Sequence, residues 1–203
     1  MTAEPSSLGP AMVLLGAWHG VNPAMGWLFA VALGLQERRG GAVLRALPPL
    51  ALGHALAIGA AVLVATAAGV VLGHEAVKWA VAVALLAFGI SRLVRARHPN
   101  WGGMRVGFGD LVVWSTLVAS AHGAGLMVVP WVLRAGTMHH DGSASAGLVA
   151  TGLHTAGYLL VTGLAALVVY RWLGLRWLRT LWINLDLVWG VALIVTAVAT
   201  PLL

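Results

Sequence analysis

An all-α polytopic membrane protein, with six transmembrane helices arranged as a 3+3 inverted-topology repeat, is the fold class this sequence predicts. Three observations predict it. The first is composition: 60% of the 203 residues are hydrophobic, 9% are charged, and the mean hydropathy is +0.92. A soluble domain carries about 25% charged residues. This chain cannot cover a water-facing surface, so lipid is its solvent. The second is a series of six apolar runs, at 11–35, 47–72, 77–94, 108–133, 147–170 and 181–203, each near the ~20 residues of a spanning helix. The third is similarity at half the chain length. His19-Gly20 and His122-Gly123 lie 103 residues apart, Trp79 and Trp182 share that offset, and His54 and His154 are 100 apart. The chain therefore divides into a tail at 1–10, a first three-helix repeat at 11–105 and a second at 106–203, all within one integral membrane domain.

Each span has its own signals. In the first, Pro23 lacks an amide N–H and its ring clashes with the carbonyl four residues back, which is that of His19. A freed carbonyl, the His19 imidazole and the Asn22 amide then fall within one turn, with room left by Gly20 and Gly26. Broken helices near mid-membrane are where transporters place ion and substrate contacts. The second span starts after Pro48-Pro49, a helix-start signal, and carries His54 early, between Gly53 and Gly59. The third is the shortest. The fourth opens with Asp110, suited to capping a helix N-terminus, and holds His122 with Gly123 and Gly125. Its Pro130 frees the carbonyl of Leu126. The fifth carries His154 with Thr151, Thr155 and Tyr158 at helical spacing. The sixth begins with Asn184 and Asp186.

Positive charge sets the orientation. Arg38, Arg39 and Arg45 follow span one, Arg92, Arg95, Arg97 and Arg105 follow span three, and Arg171, Arg176 and Arg179 follow span five. These ten of twelve basic residues mark the cytoplasmic side of a plasma (inner) membrane, with both termini outside; Lys78 and Arg134 fall opposite. The two halves then run in opposite senses, as in many secondary transporters. Arginines beside helix ends account for the pI near 11.4 and leave no nucleic-acid surface. Met1 to Pro10 lack the basic start of a secretory signal. With no cysteine, disulfides, thiolate metal sites and thiol nucleophiles are excluded. There is no Gly-x-Ser-x-Gly, no Walker loop and no His-Glu-x-x-His, so the chain reads as a non-enzyme.

The polar residues form a ladder. At 1.5 Å per residue, His19 and His154 fall about 10–12 Å inside the outer edge. His122 lies about 20 Å from the inner edge, and His54 about 10–12 Å from it. This depth predicts an outer site of His19, His122 and His154 and an inner station of His54, Asp110 and Asp186. Asn22 adds a polar contact to the outer site. Neutral imidazole suits copper, zinc, iron and nickel, and Met25 and Met127 are weaker candidates for a soft ion. His74-Glu75 and His139-His140-Asp141 are outer-loop groups able to hold a divalent metal weakly, although solvated turns account for them more simply. Trp101, Trp172, Trp177 and Trp182 belong to an interfacial belt. Trp18, Trp27, Trp114 and Trp189 sit deeper. Spacings Gly16-x-x-x-Gly20 and Gly103-x-x-x-Gly107 permit close helix contacts and a homo-oligomer.

Six spans in about 200 residues, a 3+3 repeat, and polar groups in spans one and four resemble the lysine-exporter superfamily, which includes amino-acid exporters, nickel/cobalt exporters and sulfite-exporter-like proteins. The resemblance covers the whole chain in architecture. The nickel/cobalt exporters carry an acidic-and-histidine signature in the first helix; here that helix offers His19 and Asn22 and no Asp. The resemblance implies a small transporter of an ion or a small organic solute.

The leading expectation is a small secondary transporter or channel for a metal cation (Cu, Zn, Ni or Fe), with proton coupling as an option and the intramembrane histidines as ligands or relays. One alternative is a haem-binding or electron-transfer protein, since imidazoles at matching depth ligate haem. Another is an exporter of a small organic solute, and a third is a non-transporting scaffold subunit.

Overall fold

In lipid every backbone amide must find its partner inside the protein, and a helix does so within one segment. The computed structural model describes residues 8–94, 107–138, 143–173 and 185–202, and their side chains except at 92, 136–138, 143–144, 173 and 185–186. Eight α-helices follow in order among the described residues. They are α1 (Leu8–Val21), α2 (Trp27–Glu37), α3 (Gly40–Leu72), α4 (His74–Val94), α5 (Phe108–Ala121), α6 (Ala124–Met138), α7 (Ser143–Val168) and α8 (Leu185–Ala199). A 3-10 turn at Pro23–Met25 joins α1 to α2, a π turn at Val169–Leu173 extends α7, and a 3-10 turn at Thr200–Leu202 follows α8.

Three helical stretches are long and apolar enough to cross a membrane: Gly40–Leu72, His74–Ser91 and Ser145–Trp172. The pair Phe108–Ala121 and Ala124–Ala135, bent by 66°, makes a fourth if counted as one span. The other apolar helices, Leu8–Val21, Trp27–Glu37 and Leu187–Leu202, are shorter. The chain is thus an all-α protein with helices of membrane-spanning length, suited to a lipid bilayer.

The first run divides into α1 and α2 for local reasons. Pro23 opens the 3-10 turn, and the Asn22 side chain caps it by accepting the Ala24 N–H at 3.0 Å. Gly26 then takes φ 134°, a conformation that L side chains rarely adopt. The His19 carbonyl, expected to be free, accepts the Asn22 N–H at 3.2 Å. Two proline expectations are corrected. Pro48 and Pro49 lie inside α3, which starts at Gly40. Pro130 lies inside α6, and the bend of the fourth run falls at His122-Gly123, where Gly123 takes φ 70°. A proline inside a membrane helix is accommodated when its neighbours satisfy the freed groups, whereas a glycine at positive φ redirects the chain.

Glycines set the closest helix contacts. Gly16 and Gly20 on α1 face α7: a Cβ on Gly16 would strike the His154 carbonyl oxygen, and one on Gly20 the Tyr158 oxygen. Gly157 on α7 abuts the Val13 carbonyl in return, so the two helices run parallel. The Gly16-x-x-x-Gly20 spacing is therefore used within the chain; Gly103 lies outside the described residues. Gly53 on α3 abuts the Val112 carbonyl and Ser115 of α5. Gly89 of α4 and Gly190 of α8 abut each other, with Ile194 beyond Gly89 and Leu93 beyond Gly190, so this pair is antiparallel. Helix α3 also packs against α7, α6 and α2.

Trp27, Val31, Val43, Leu50, Leu111 and Val169 fill the core at one end of the bundle. At that end Tyr170 of the π turn packs on Gly34 and Gly40, which gathers Arg38, Arg39 and Arg171 together. Arg38 caps α2 through its N–H in a left-handed conformation, and Arg45 pairs with Glu37. A larger core, including Met12, Ile58, Leu85, Val128 and Leu193, fills the rest.

Candidate functional site

The close approach of α1 to α7 brings His19 against His154, and α3 crossing α7 adds His54. The rings form a triangle with centroid separations of 4.8 Å (His19–His154), 5.7 Å (His19–His54) and 5.4 Å (His54–His154). All three are fully buried. Tyr158, one turn beyond His154 on α7, lies flat on His54 at 3.9 Å between centroids. Trp189 of α8 meets the His19 ring edge-on at 4.7 Å.

Helix α5 braces the α3 backbone around His54. Ser115 Oγ donates to the Leu50 carbonyl at 2.7 Å, and Thr116 Oγ1 contacts the Gly53 carbonyl at 3.1 Å and its own helix's Val112 carbonyl at 2.8 Å. The bare Gly53 permits this approach.

The histidines differ in what holds them. His19 Nδ1 lies 2.8 Å from the Leu15 carbonyl. A carbonyl only accepts, so Nδ1 carries the proton and Nε2 presents a lone pair. That Nε2, both nitrogens of His54 and both of His154 are buried without a hydrogen-bond partner. Whichever tautomers His54 and His154 adopt, each neutral ring offers one N–H and one lone pair. The triangle therefore holds three lone pairs and two N–H groups. An unsatisfied buried polar group costs about 1–3 kcal/mol. Thr155 Oγ1 and Thr162 Oγ1 on α7 are buried without partners as well.

His122 stands apart from the triangle. Its Nδ1 lies 2.8 Å from the Val118 carbonyl, as His19 Nδ1 lies from Leu15, and Trp189 fits between the two rings, 5.9 Å from His122 by centroids. Trp189 Nε1 donates to the His122 carbonyl at 2.8 Å. At the first break Trp27 Nε1 donates to the Val21 carbonyl at 3.0 Å and the Tyr158 hydroxyl to the Met25 carbonyl at 2.6 Å. Aromatic donors thus occupy carbonyls at both breaks, and His19 Nε2 is left without a partner.

The expected division into outer and inner stations is corrected: His54 joins His19 and His154. The cause is the start of α3. With Gly40 as its first residue, His54 lies about 21 Å along the helix at 1.5 Å per residue, so it sits mid-helix. Asp110 is exposed at the other end of α5, where its side chain accepts the Gly107 N–H at 2.8 Å. Asp186 lies in the first turn of α8 and its side chain is outside the description. Met25 and Met127 are buried core side chains. Asn22 is committed as a cap. His74 is exposed; His98, His139, His140, Asp141, Asn184, Trp101, Trp177 and Trp182 lie outside the described residues. Trp18 is half-exposed and stacks on Trp189 at 6.4 Å, while Trp114 packs on Phe29 at 4.2 Å. Tyr158's place beside His154 was signalled by its four-residue spacing. No signal in the sequence placed Trp189 between His19 and His122.

Among the described residues no group of three or more His, Asp or Glu side chains is arranged to hold a metal ion. No protein-family model, curated protein or solved structure matches this chain.

Proposed function

We propose that this protein is a small secondary transporter, built as two inverted three-helix repeats in the plasma membrane, that carries a cation through the His19–His54–His154 cluster. The observation that carries the reading is the set of five buried ring nitrogens without a hydrogen-bond partner. Lone pairs outnumber N–H groups there, so a proton or a metal cation is the occupant that relieves the cost. Metal-bound histidines as a rule donate their other N–H to a carbonyl or carboxylate, and His19 is held that way by Leu15. A metal cation, with proton coupling, is the substrate class we put first, and carrying it requires the three rings to reorient, since as they stand they are not arranged to hold a metal ion.

The repeat draws support from packing. Exchanging the halves turns the parallel α1–α7 contact into the parallel α3–α5 contact and returns α4–α8 to itself. His19 and His122 end their helices with the same ring-to-carbonyl bond. The gathering of Arg38, Arg39 and Arg171 at one end supports that end as cytoplasmic, with both termini outside.

The test is flux in proteoliposomes loaded with pH- and metal-sensitive dyes. His54→Ala and His154→Ala lower cation flux at least about tenfold, while the exposed His74→Ala leaves it unchanged. A correctly folded His54→Ala protein with undiminished flux, or wild-type protein with no cation flux, overturns the reading. The haem alternative is less favoured, because the rings pack on one another, on Tyr158 and on Trp189 with no slot for a macrocycle; a Soret band in purified protein would restore it.

A further inference from the structure

The end of the bundle where α2 turns into α3 carries more positive charge than its neighbours balance. The Tyr170 ring lies 3.0 Å from where a Cβ on Gly34 would stand and 3.5 Å from one on Gly40. This seats the end of α7, with Arg171 and Trp172, beside the turn that holds Arg38 and Arg39. All three arginines are exposed. The described carboxylates are engaged elsewhere: Glu37 pairs with Arg45, Glu75 with Lys78, and Asp110 accepts the Gly107 N–H. The first turn of α3 holds no acidic residue. Among the described residues the guanidinium groups of Arg38, Arg39 and Arg171 form no ion pair and no hydrogen bond. We infer that these three arginines form a binding site for the headgroup of an anionic phospholipid. The inference rests on reading the chain as a membrane protein with this end at the headgroup level, and on nothing about the histidine cluster or its cargo.

Arg38 is the strongest single pointer. Among the described residues it is the one non-glycine residue at positive φ, with φ 54° and ψ 33°. Its N–H closes α2 on the Gly34 and Leu35 carbonyls. Helices that end this way usually place glycine there, because a Cβ in the left-handed region crowds the following carbonyl. Glycine would make the same cap without that strain, so what arginine adds is its guanidinium. Strain of this kind gathers where a side chain is used. A guanidinium presents a fork of N–H donors that matches phosphate oxygens. Three uncompensated forks favour a headgroup of net negative charge over phosphocholine, whose ammonium they repel. The apolar surroundings select a lipid over a free phosphate. Leu35, Leu44 and Trp172 are exposed next to the arginines in sequence, and indoles settle at the headgroup level of a bilayer. A phospholipid brings its phosphate to the arginines and lays its chains on these side chains; a free phosphate leaves them bare.

The test titrates purified protein in detergent micelles with phosphatidylglycerol or phosphatidylcholine and counts bound lipid by native mass spectrometry. Phosphatidylglycerol binds at least about tenfold more tightly than phosphatidylcholine. Arg38→Gln, Arg39→Gln and Arg171→Gln each lower its affinity about fivefold and leave phosphatidylcholine unchanged. Arg38→Gly lowers it equally while the protein unfolds no more readily than wild type, since glycine relieves the backbone. The double variant Glu37→Gln/Arg45→Gln removes the neighbouring ion pair at constant net charge and keeps wild-type affinity. Equal affinity for the two lipids, or wild-type affinity in Arg38→Gly, overturns the site. A loss in the double variant as large as in Arg38→Gln reduces it to unspecific charge at this end and overturns it too. Inorganic phosphate that displaces phosphatidylglycerol at equal concentration overturns lipid as the occupant. Protein that stays dissolved without detergent and does not enter liposomes refutes the membrane reading itself; protein that reconstitutes but ignores the headgroup refutes this inference alone.

Discussion

Replacing Gly16 by alanine tests whether the α1–α7 contact builds the site. A Cβ at residue 16 would lie 2.8 Å from the His154 carbonyl carbon and 2.9 Å from the Tyr158 amide nitrogen, and closer still to the His154 oxygen. Carbon atoms rest about 3.5–4.0 Å apart, so the helices must separate by about 0.7 Å or more. The obstruction is backbone, which cannot rotate away. Overpacking of this kind costs about 1–3 kcal/mol, and a backbone obstruction belongs in the upper half. Glycine to alanine also raises helix propensity by up to about 1 kcal/mol, and this gain must be removed. Gly152→Ala on α7 provides the control, because a Cβ there meets nothing within 4 Å. The difference between the two variants isolates the collision at about 2–3 kcal/mol. Reversible unfolding in mixed detergent micelles measures it. The separation also loosens His19 from His154, so cation flux falls in Gly16→Ala and not in Gly152→Ala. Equal stability of the two variants would refute the parallel Gly-lined contact.

Two further outcomes follow from the same geometry. Trp189→Phe keeps a ring between His19 and His122 and removes the indole donor to the His122 carbonyl; unfolding in micelles shows a loss of about 1–2 kcal/mol, and no loss would mean that this carbonyl is satisfied otherwise. Because the chain has no cysteine, single cysteines are clean topology probes: Gly41→Cys and Glu75→Cys, at the two ends of α3, react with an impermeant thiol reagent from opposite sides of the membrane, and labelling from one side overturns α3 as a span.

The sequence announced the breaks more clearly than the depths. Pro23 marked the first break, where Asn22 and Gly26 flank a 3-10 turn, whereas the second falls at Gly123, with φ 70°, and not near Pro130. Proline misled the reading twice. Pro48-Pro49 and Pro130 sit within continuous helices, and moving the start of α3 to Gly40 carries His54 from the inner edge to the centre. Composition identified helices long and apolar enough for a bilayer, but broken runs give pieces shorter than a span. The partners of the imidazoles were illegible. Trp189 is 170 residues from His19 in sequence, and only the packing of α8 brings them together.

Helix α8 lies along α4 and enters the interior through few side chains, of which Trp189 reaches His19 and the His122 carbonyl and Leu193 lies against Gly123. One indole therefore touches both helix breaks, so a substitution at Trp189 changes the surroundings of the His19 ring and of the His122 carbonyl together.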